Sequence, residues 1–440
     1  MAELIRGFQA DRVIALRKGV AITQVEFLAD ALAGAAALPD AAFAINLCED
    51  RYNFLVAFAA AIIRGQTSLF PGSPATGSLE SFAAAYPSPY VIHDGSLPAG
   101  TLPTHAVRFS GGGQAMRGDL PKVDVERIVA HAFSSGSTGT PQATLKSWKS
   151  LMVGADALAR RAGWPDGHGT TVVATVPSGH SYGYETTIAP QLFGGAAMEA
   201  SRPLFPADVR AALAKTPSPR CLVTTPVHLR ALVLSSTEFP PIDLIMCATA
   251  PLSLDLARKA EQRLGASILE IYGCTESGFI ATRRPVTDSD WQVRDDMRLR
   301  PEGDRHFVEA SFLERPVPLA DVIEMSGPDR FQLMGRSADI VNIAGKKTSL
   351  SGLSRTLLEI DGVQDGIVFV PEGGNGTEVQ RLTALVVATG TTQDEIRQQL
   401  RQRIDPAFVP RQIILVPELP RNATGKLPME RLRAMAARAD

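Results

Sequence analysis

The stretch ASILEIYGCTESG, residues 266–278, decides how the rest of the chain is read. It begins as an apolar run of the kind that forms a buried strand. It ends in small and polar residues around Thr275 and Glu276. In open α/β sheets, ligands gather beyond the carboxyl ends of the strands. A hydroxyl beside a carboxylate at such an end can hold a phosphate and its Mg²⁺. The same residues also allow a helix N-cap with a glutamate in the first turn.

Three earlier runs share the design: TTVVATVP (170–177), SPRCLVTTP (218–226) and IDLIMCATAPL (242–252). Between them lie amphipathic segments such as PADVRAALAK (206–215) and SLDLARKAEQRLG (253–265). Strand, crossover helix, strand is the pattern of a mostly parallel sheet. Nearer the N-terminus, RYNFLVAFAAAIIRG reads as a buried helix and TSLF as a short strand. The Ala-rich stretch 30–44 reads as helix. Near Gly335 the texture changes. FQLMG reads as a strand, followed by a helix-like LSRTLLEI, then GIVFV, LTALVVA, DEIRQQLRQRI and QIILVPE. The fold class is therefore α/β. A large domain of mostly parallel sheets flanked by helices spans residues 1–335, and a small α+β domain spans 336–440.

Composition narrows the function classes. The chain has 440 residues, 45% hydrophobic and 20% charged, with a net charge of −2, which is ordinary for a globular protein. Without a basic run, nucleic-acid binding through a charged face is not expected. Cys48, Cys221, Cys247 and Cys274 stand far apart, with no metal-ligand spacing, which suggests a reducing compartment. MAELIRGF lacks the pattern of a signal peptide, and FLVAFAAAII is about half a membrane span. A cytoplasmic location away from the membrane is expected.

Three more stretches carry chemistry. FSSGSTGTPQATLKSW, residues 133–148, has the glycines and hydroxyls of an anion-binding loop but no lysine in the loop itself. It does not fit the GxxxxGK[ST] pattern, and alone it reads equally well as a surface turn. LADVIEM, holding Asp321, precedes LMGRSADIVNIAGKKTS, holding Arg336. The two flank a short strand and could face one ligand; taken singly, each reads as half of a surface ion pair. LPRNATGKLPMERL (419–432) places Lys426 in a Pro-bounded loop, where a solvated lysine is the plain reading.

In that order, FSSGSTGTP, IYGCTESG, MGRSAD…GKK and NATGK resemble the signature stretches of the adenylate-forming superfamily. It includes acyl- and aryl-CoA ligases, peptide-synthetase adenylation domains and luciferases. The resemblance covers the chain from about Phe133 onward. It implies a mobile C-terminal lid and two half-reactions. A carboxylate attacks the α-phosphorus of ATP·Mg²⁺ to give acyl-AMP and pyrophosphate; a thiol of CoA or of a carrier protein's phosphopantetheine then displaces AMP.

Residue by residue, the resemblance puts Ser135, Gly136, Ser137, Thr138 and Gly139 in the phosphate loop. Thr249 and Ala250 belong to ATAPL, which takes the place of the family's adenine-lining stretch. Tyr272 and Gly273 would lie against adenine, Thr275 would touch phosphate, and Glu276 would hold Mg²⁺. Asp321 and Arg336 would take the ribose hydroxyls. Lys426 would approach the α-phosphate and the attacking carboxylate. VPSGHSYGYE (176–185) stands where the family lines its acyl pocket, which implies roles for His180 and Tyr182, with Gly278 also against the substrate. Two positions depart from the pattern. Gln142 replaces a usual lysine, with Lys146 four residues on, and Ala338 replaces the charged hinge residue. An aromatic acid, such as a hydroxybenzoate, is favoured over a fatty acid. The N-terminal NLCEDRYNFLVAFAAAIIRGQTSLFP is loosely similar to short ligases of aryl-polyene pigment clusters, which load a carrier protein.

Two rival readings remain at this stage. GHSYG fits the GxSxG elbow of an α/β-hydrolase with Ser181 as nucleophile. Gln142 and Ala338 would suit a catalytically degenerate AMP-binding protein.

Overall fold

The computed structural model describes every residue except 72–75, 96, 98–101, 110, 112–118, 135–141, 165–168, 304, 337–339, 344–345, 372–380, 422–426 and 439–440. Ser135, Gly136, Ser137, Thr138, Gly139, Ala338 and Lys426 therefore lie outside the described residues, as do the side chains of Gln142 and Arg336.

The four runs read as strands form neighbouring strands of one 11-stranded sheet: Thr171–Ala174, Arg220–Thr224, Leu244–Cys247 and Ser267–Cys274. All pair in parallel, Thr171–Ala174 beside Arg220–Thr224, then Leu244–Cys247, then Ser267–Cys274. Helices Pro206–Ala214, Pro226–Leu234 and Leu254–Leu264 supply the crossovers. Their apolar faces, through Val209, Leu213, Leu229, Leu256 and Ala260, pack on Val173, Leu222, Ile245 and Ile268. Such strands are buried on both faces, so the sequence shows them as continuous apolar runs rather than alternating ones.

Beyond Ser267–Cys274 the pairing turns antiparallel. Gly278–Arg283, Trp291–Val293, Arg330–Arg336 and Asp321–Met325 complete this flank. A second sheet of six strands holds Phe43–Asn46 and Thr67–Phe70 at its centre, with Gln142–Ser147 at one edge. Between the two sheets lie helices Gln24–Ala37, Arg51–Ile63 and Trp148–Arg161, sharing a core of Phe27, Phe54, Phe58 and Trp148 with strand residues Ile14, Ala44 and Ala130.

Helix Arg51–Ile63 starts at Asp50, whose carboxylate accepts from the Asn53 N–H at 3.0 Å. Arg51 is fully buried and reaches the far sheet. Its guanidinium donates to the carbonyls of Ala174 (2.7 Å) and Val176 (2.5 Å) and to the hydroxyls of Ser178 and Thr187. Burial lowers it to about 9, so it stays charged at neutral pH. This clamp fixes the loop that leads to His180.

The Ala-rich run departs from its reading. The helix stops at Ala37 and Phe43–Asn46 is a strand. Pro39 is the cause: it forces Leu38 into extended backbone (φ −63, ψ 145) and cannot continue a helix.

Among the described residues, the large sheet takes no strand after Arg336. Thereafter come helix Leu350–Leu358, a three-stranded sheet of Val363–Phe369, Thr383–Ala388 and Gln412–Leu415, and helices Gln393–Arg403 and Met429–Ala437. Their cores are separate from those of the sheets above.

Candidate functional site

Ser267–Cys274 runs into a tight turn and returns as Gly278–Arg283, so Thr275 and Glu276 occupy a hairpin tip rather than a helix start. Gly273 permits this turn. A Cβ there would sit 2.4 Å from the Gly278 carbonyl oxygen and 2.6 Å from Phe279 Cα. Glu276 is exposed while Ser277 and Gly278 are buried.

Tyr272, on the same strand end, donates its hydroxyl to Asp321 Oδ2 at 2.7 Å. The two residues are 49 positions apart in sequence, and the family resemblance implies that both face one nucleotide. Asp321 lies opposite Arg336 in the antiparallel pair, so strand register brings the ribose candidates side by side. The Tyr272 ring meets Trp291 and Phe331 at centroid distances of 5.6 Å. Arg283 in turn lies over Trp291, 4.6 Å from its centroid. Tyr272, Trp291 and Phe331 make an apolar wall beside a carboxylate, a surface suited to a purine and its sugar.

Beneath this wall Glu270 is buried. Its Oε2 accepts from Arg283 Nε at 2.7 Å and its Oε1 from the Leu252 N–H at 3.3 Å. Desolvation raises its pKa, opposed by Arg283. Glu270 thereby ties the ATAPL stretch to the strand end. Within ATAPL, Thr249 has φ +82, a conformation a β-branched residue adopts only under strain. Such strain gathers at ligand sites.

A cavity of about 700 Å³ opens beside the hairpin tip, lined by Lys146, Tyr184, Glu185, Glu276, Ser277 and Gly278 among others. Mg²⁺ on nucleotides commonly takes one or two carboxylates, with phosphates and water completing its shell. Exposed Glu276 on the rim fits that donor set.

Residues 18–301 match the AMP-binding enzyme family, and residues 355–426 match the AMP-binding enzyme C-terminal domain. The chain is an adenylate-forming AMP-binding enzyme. It is 31% identical to the 4-coumarate–CoA ligase of Halorhodospira halophila over 310 residues, 67% of this chain and 73% of that protein. It is 25% identical to the 3,4-dihydroxybenzoate–[aryl-carrier protein] ligase of Bacillus anthracis over 198 residues, 42% of this chain and 44% of that protein. The anthranilate CoA ligase in complex with anthranoyl-AMP shares the fold with a TM-score of 0.80, 16% identity, and coverage of 99% of this chain and 96% of that one. Membership makes it an ATP-dependent enzyme that joins a carboxylic acid to a thiol.

Within this AMP-binding enzyme the remaining candidates are spread differently. His180 is half-buried at the N-cap of the helix Ser181–Thr187. Tyr182 is 8% exposed, inside a cluster with Val172, Val223, Met246 and Ile271. Its hydroxyl is buried, with the Thr224 backbone beside it and no hydrogen bond that meets strict geometry among the described residues. Burial raises its pKa, so the phenol stays protonated and able to donate.

Ser181 donates to Glu185 Oε1 at 3.1 Å, four residues on, rather than to a histidine. His228 instead pairs its Nδ1 with Thr175 Oγ1 at 2.8 Å. The hydrolase arrangement is absent from the described residues. Among them no helix is long and apolar enough to cross a membrane.

Sequence reasoning missed Glu270, Trp291, Arg51 and Glu185. A charged residue inside an apolar run was the available signal for Glu270.

Proposed function

We propose that this enzyme activates an aromatic carboxylic acid as its acyl-AMP and passes the acyl group to a phosphopantetheine thiol, that of CoA or of a carrier protein. The observation that carries the reading is the 2.7 Å bond between Tyr272 and Asp321 at the strand end beside Glu276. Adenine rests against Tyr272 and the ribose hydroxyls bond to Asp321 and Arg336. The phosphates lie over the loop of Ser135, Gly136, Ser137, Thr138 and Gly139, with Thr275 donating a hydroxyl. Glu276 would hold Mg²⁺, which would supply charge neutralisation at the phosphates.

Two anions must meet in the first step, so positive charge is needed as the bond forms. Lys426, carried by residues 336–440 as a lid hinged near Ala338, supplies it and then withdraws for the thiol. Leu419 and Leu432 are anchored with Phe369 and Leu385 in the small domain's core.

The aromatic assignment is supported by the Tyr182 phenol, which makes no hydrogen bond that meets strict geometry among the described residues and suits a ring hydroxyl, and by the half-buried His180. Gly278 borders the cavity at φ +75, with Glu185 Oε1 3.2 Å from where a Cβ would sit. The names of the relatives, 4-coumarate, 3,4-dihydroxybenzoate and anthranilate ligases, point the same way.

The test is ATP–pyrophosphate exchange across aryl and alkyl acids, followed by thioester analysis with CoA and with a pantetheinylated carrier. Exchange stimulated by hydroxylated aryl acids is expected. Stimulation by alkyl acids alone overturns the aromatic assignment. AMP binding with no exchange marks a degenerate enzyme. Ester hydrolysis lost in Ser181→Ala favours the hydrolase.

A further inference from the structure

The strand Gln142–Ser147 turns its residues the wrong way round. Leu145 is 46% exposed while its neighbour Lys146 is 5% exposed. An apolar side chain in water beside a lysine indoors costs stability twice over, so it marks a site with another purpose. The pairing with Ile128–Ser134 slips between Lys146 and Ser147, the kind of irregularity that re-aims a side chain. Lys146 thus lines the cavity that also holds Glu276, Ser277 and Gly278.

In that cavity Lys146 is under-paired. Its one ion pair among the described residues is with Glu185 Oε1 at 3.8 Å, beyond hydrogen-bonding distance. An ammonium has three donors, and burying it costs several kcal/mol unless they are met. Glu185 is already committed: Oε1 accepts from Ser181 Oγ at 3.1 Å and Oε2 from the Phe279 N–H at 3.2 Å. Arg294, also on the cavity wall, is spent on Asp296, the Phe279 carbonyl and the Val153 carbonyl. Arg315 lies exposed on the rim.

We propose that Lys146 is the cation that meets the pyrophosphate portion of the nucleotide, with Glu185 holding it in place while that portion is absent. This rests on the adenylating reaction proposed above and adds to it a residue for the leaving group.

The test compares Lys146→Met, Lys146→Arg and Glu185→Gln with the wild type in ATP–pyrophosphate exchange, in thioester formation from supplied acyl-AMP, and in thermal melts. A charge-assisted contact predicts that Lys146→Met raises the KM for pyrophosphate roughly ten- to hundredfold while the KM for the acid holds. Lys146→Arg should restore most of the loss, Glu185→Gln should lower the KM, and thioester formation should be spared. An unchanged KM for pyrophosphate in Lys146→Met, or equal losses in both half-reactions, overturns the inference. A wild type without acid-dependent exchange refutes the adenylation reading instead. In that case calorimetry with magnesium pyrophosphate still decides: weaker binding by Lys146→Met than by wild type supports the site, and equal binding removes it.

Discussion

Replacing Tyr272 by Phe removes one oxygen and nothing else from the wall beside Asp321. The ring contacts with Trp291 and Phe331, both at 5.6 Å, persist. What goes is an O–H donated to a carboxylate at 2.7 Å. Hydrogen bonds to charged groups contribute about 1.5–3 kcal/mol, a factor of about ten to a hundred in an equilibrium constant. Because both partners are only half-buried, the lower end applies. Asp321 then loses this one hydrogen bond but keeps its charge, so the KM for ATP should rise roughly tenfold, with the KM for the acid unchanged. Asp321→Asn removes the charged acceptor itself and should raise the same constant by as much or more. If both residues act through one ribose, the double variant is no worse than Asp321→Asn, giving a coupling of about 1 kcal/mol or more in the cycle. The assay is pyrophosphate exchange with ATP as the varied substrate. The reasoning is refuted if both single variants lower the melting temperature and leave the KM for ATP alone, because the bond would then be purely structural.

Other substitutions probe the neighbouring groups. Tyr182→Phe should penalise hydroxylated acids over the parent ring by roughly 1–3 kcal/mol in kcat/KM; equal effects on both would remove the phenol from recognition. Gly273→Ala forces its Cβ against the Gly278 carbonyl at 2.4 Å, so exchange activity and melting temperature should fall together. Thr249→Gly relieves a strained φ of +82, worth about 1–3 kcal/mol less the entropy cost of glycine, and should raise the melting temperature by about 1–2 °C. His228 is pushed below 6.5 by burial and by Arg202, so the unfolded chain takes its proton more readily than the folded one. Its contribution is present above the unfolded value and lost as pH falls through the folded one. Melting curves from about pH 7 to about pH 5 should therefore be steeper for wild type than for His228→Gln.

How far the sequence revealed this arrangement depends on the kind of signal. The parallel strands were legible because a strand buried on both faces must be almost wholly apolar, as Leu244–Cys247 is and as Thr171–Ala174 is after its first residue. The Ala-rich run misled because alanine favours helix while Pro39 and strand pairing with Thr67–Phe70 override it. The antiparallel flank was invisible as such, since pairing direction leaves no mark on composition. Tyr272 and Asp321 came together only through the ordered resemblance; a separation of 49 positions carries no local clue. Lys146 shows the limit most clearly. Alternation says that neighbours point to opposite faces, but not which face is inside, and the expectation that leucine goes in and lysine out is reversed here.

The account is tested most directly by a crystal structure with a nonhydrolysable aryl-acyl sulfamoyl adenosine bound. It predicts adenine against the Tyr272 ring, ribose hydroxyls on the Asp321 carboxylate and the sulfamoyl group near Thr275, with the aryl group reaching toward Tyr182. Adenosine bound elsewhere, with Tyr272 still sealed against Asp321 and Glu276 facing open solvent, contradicts it.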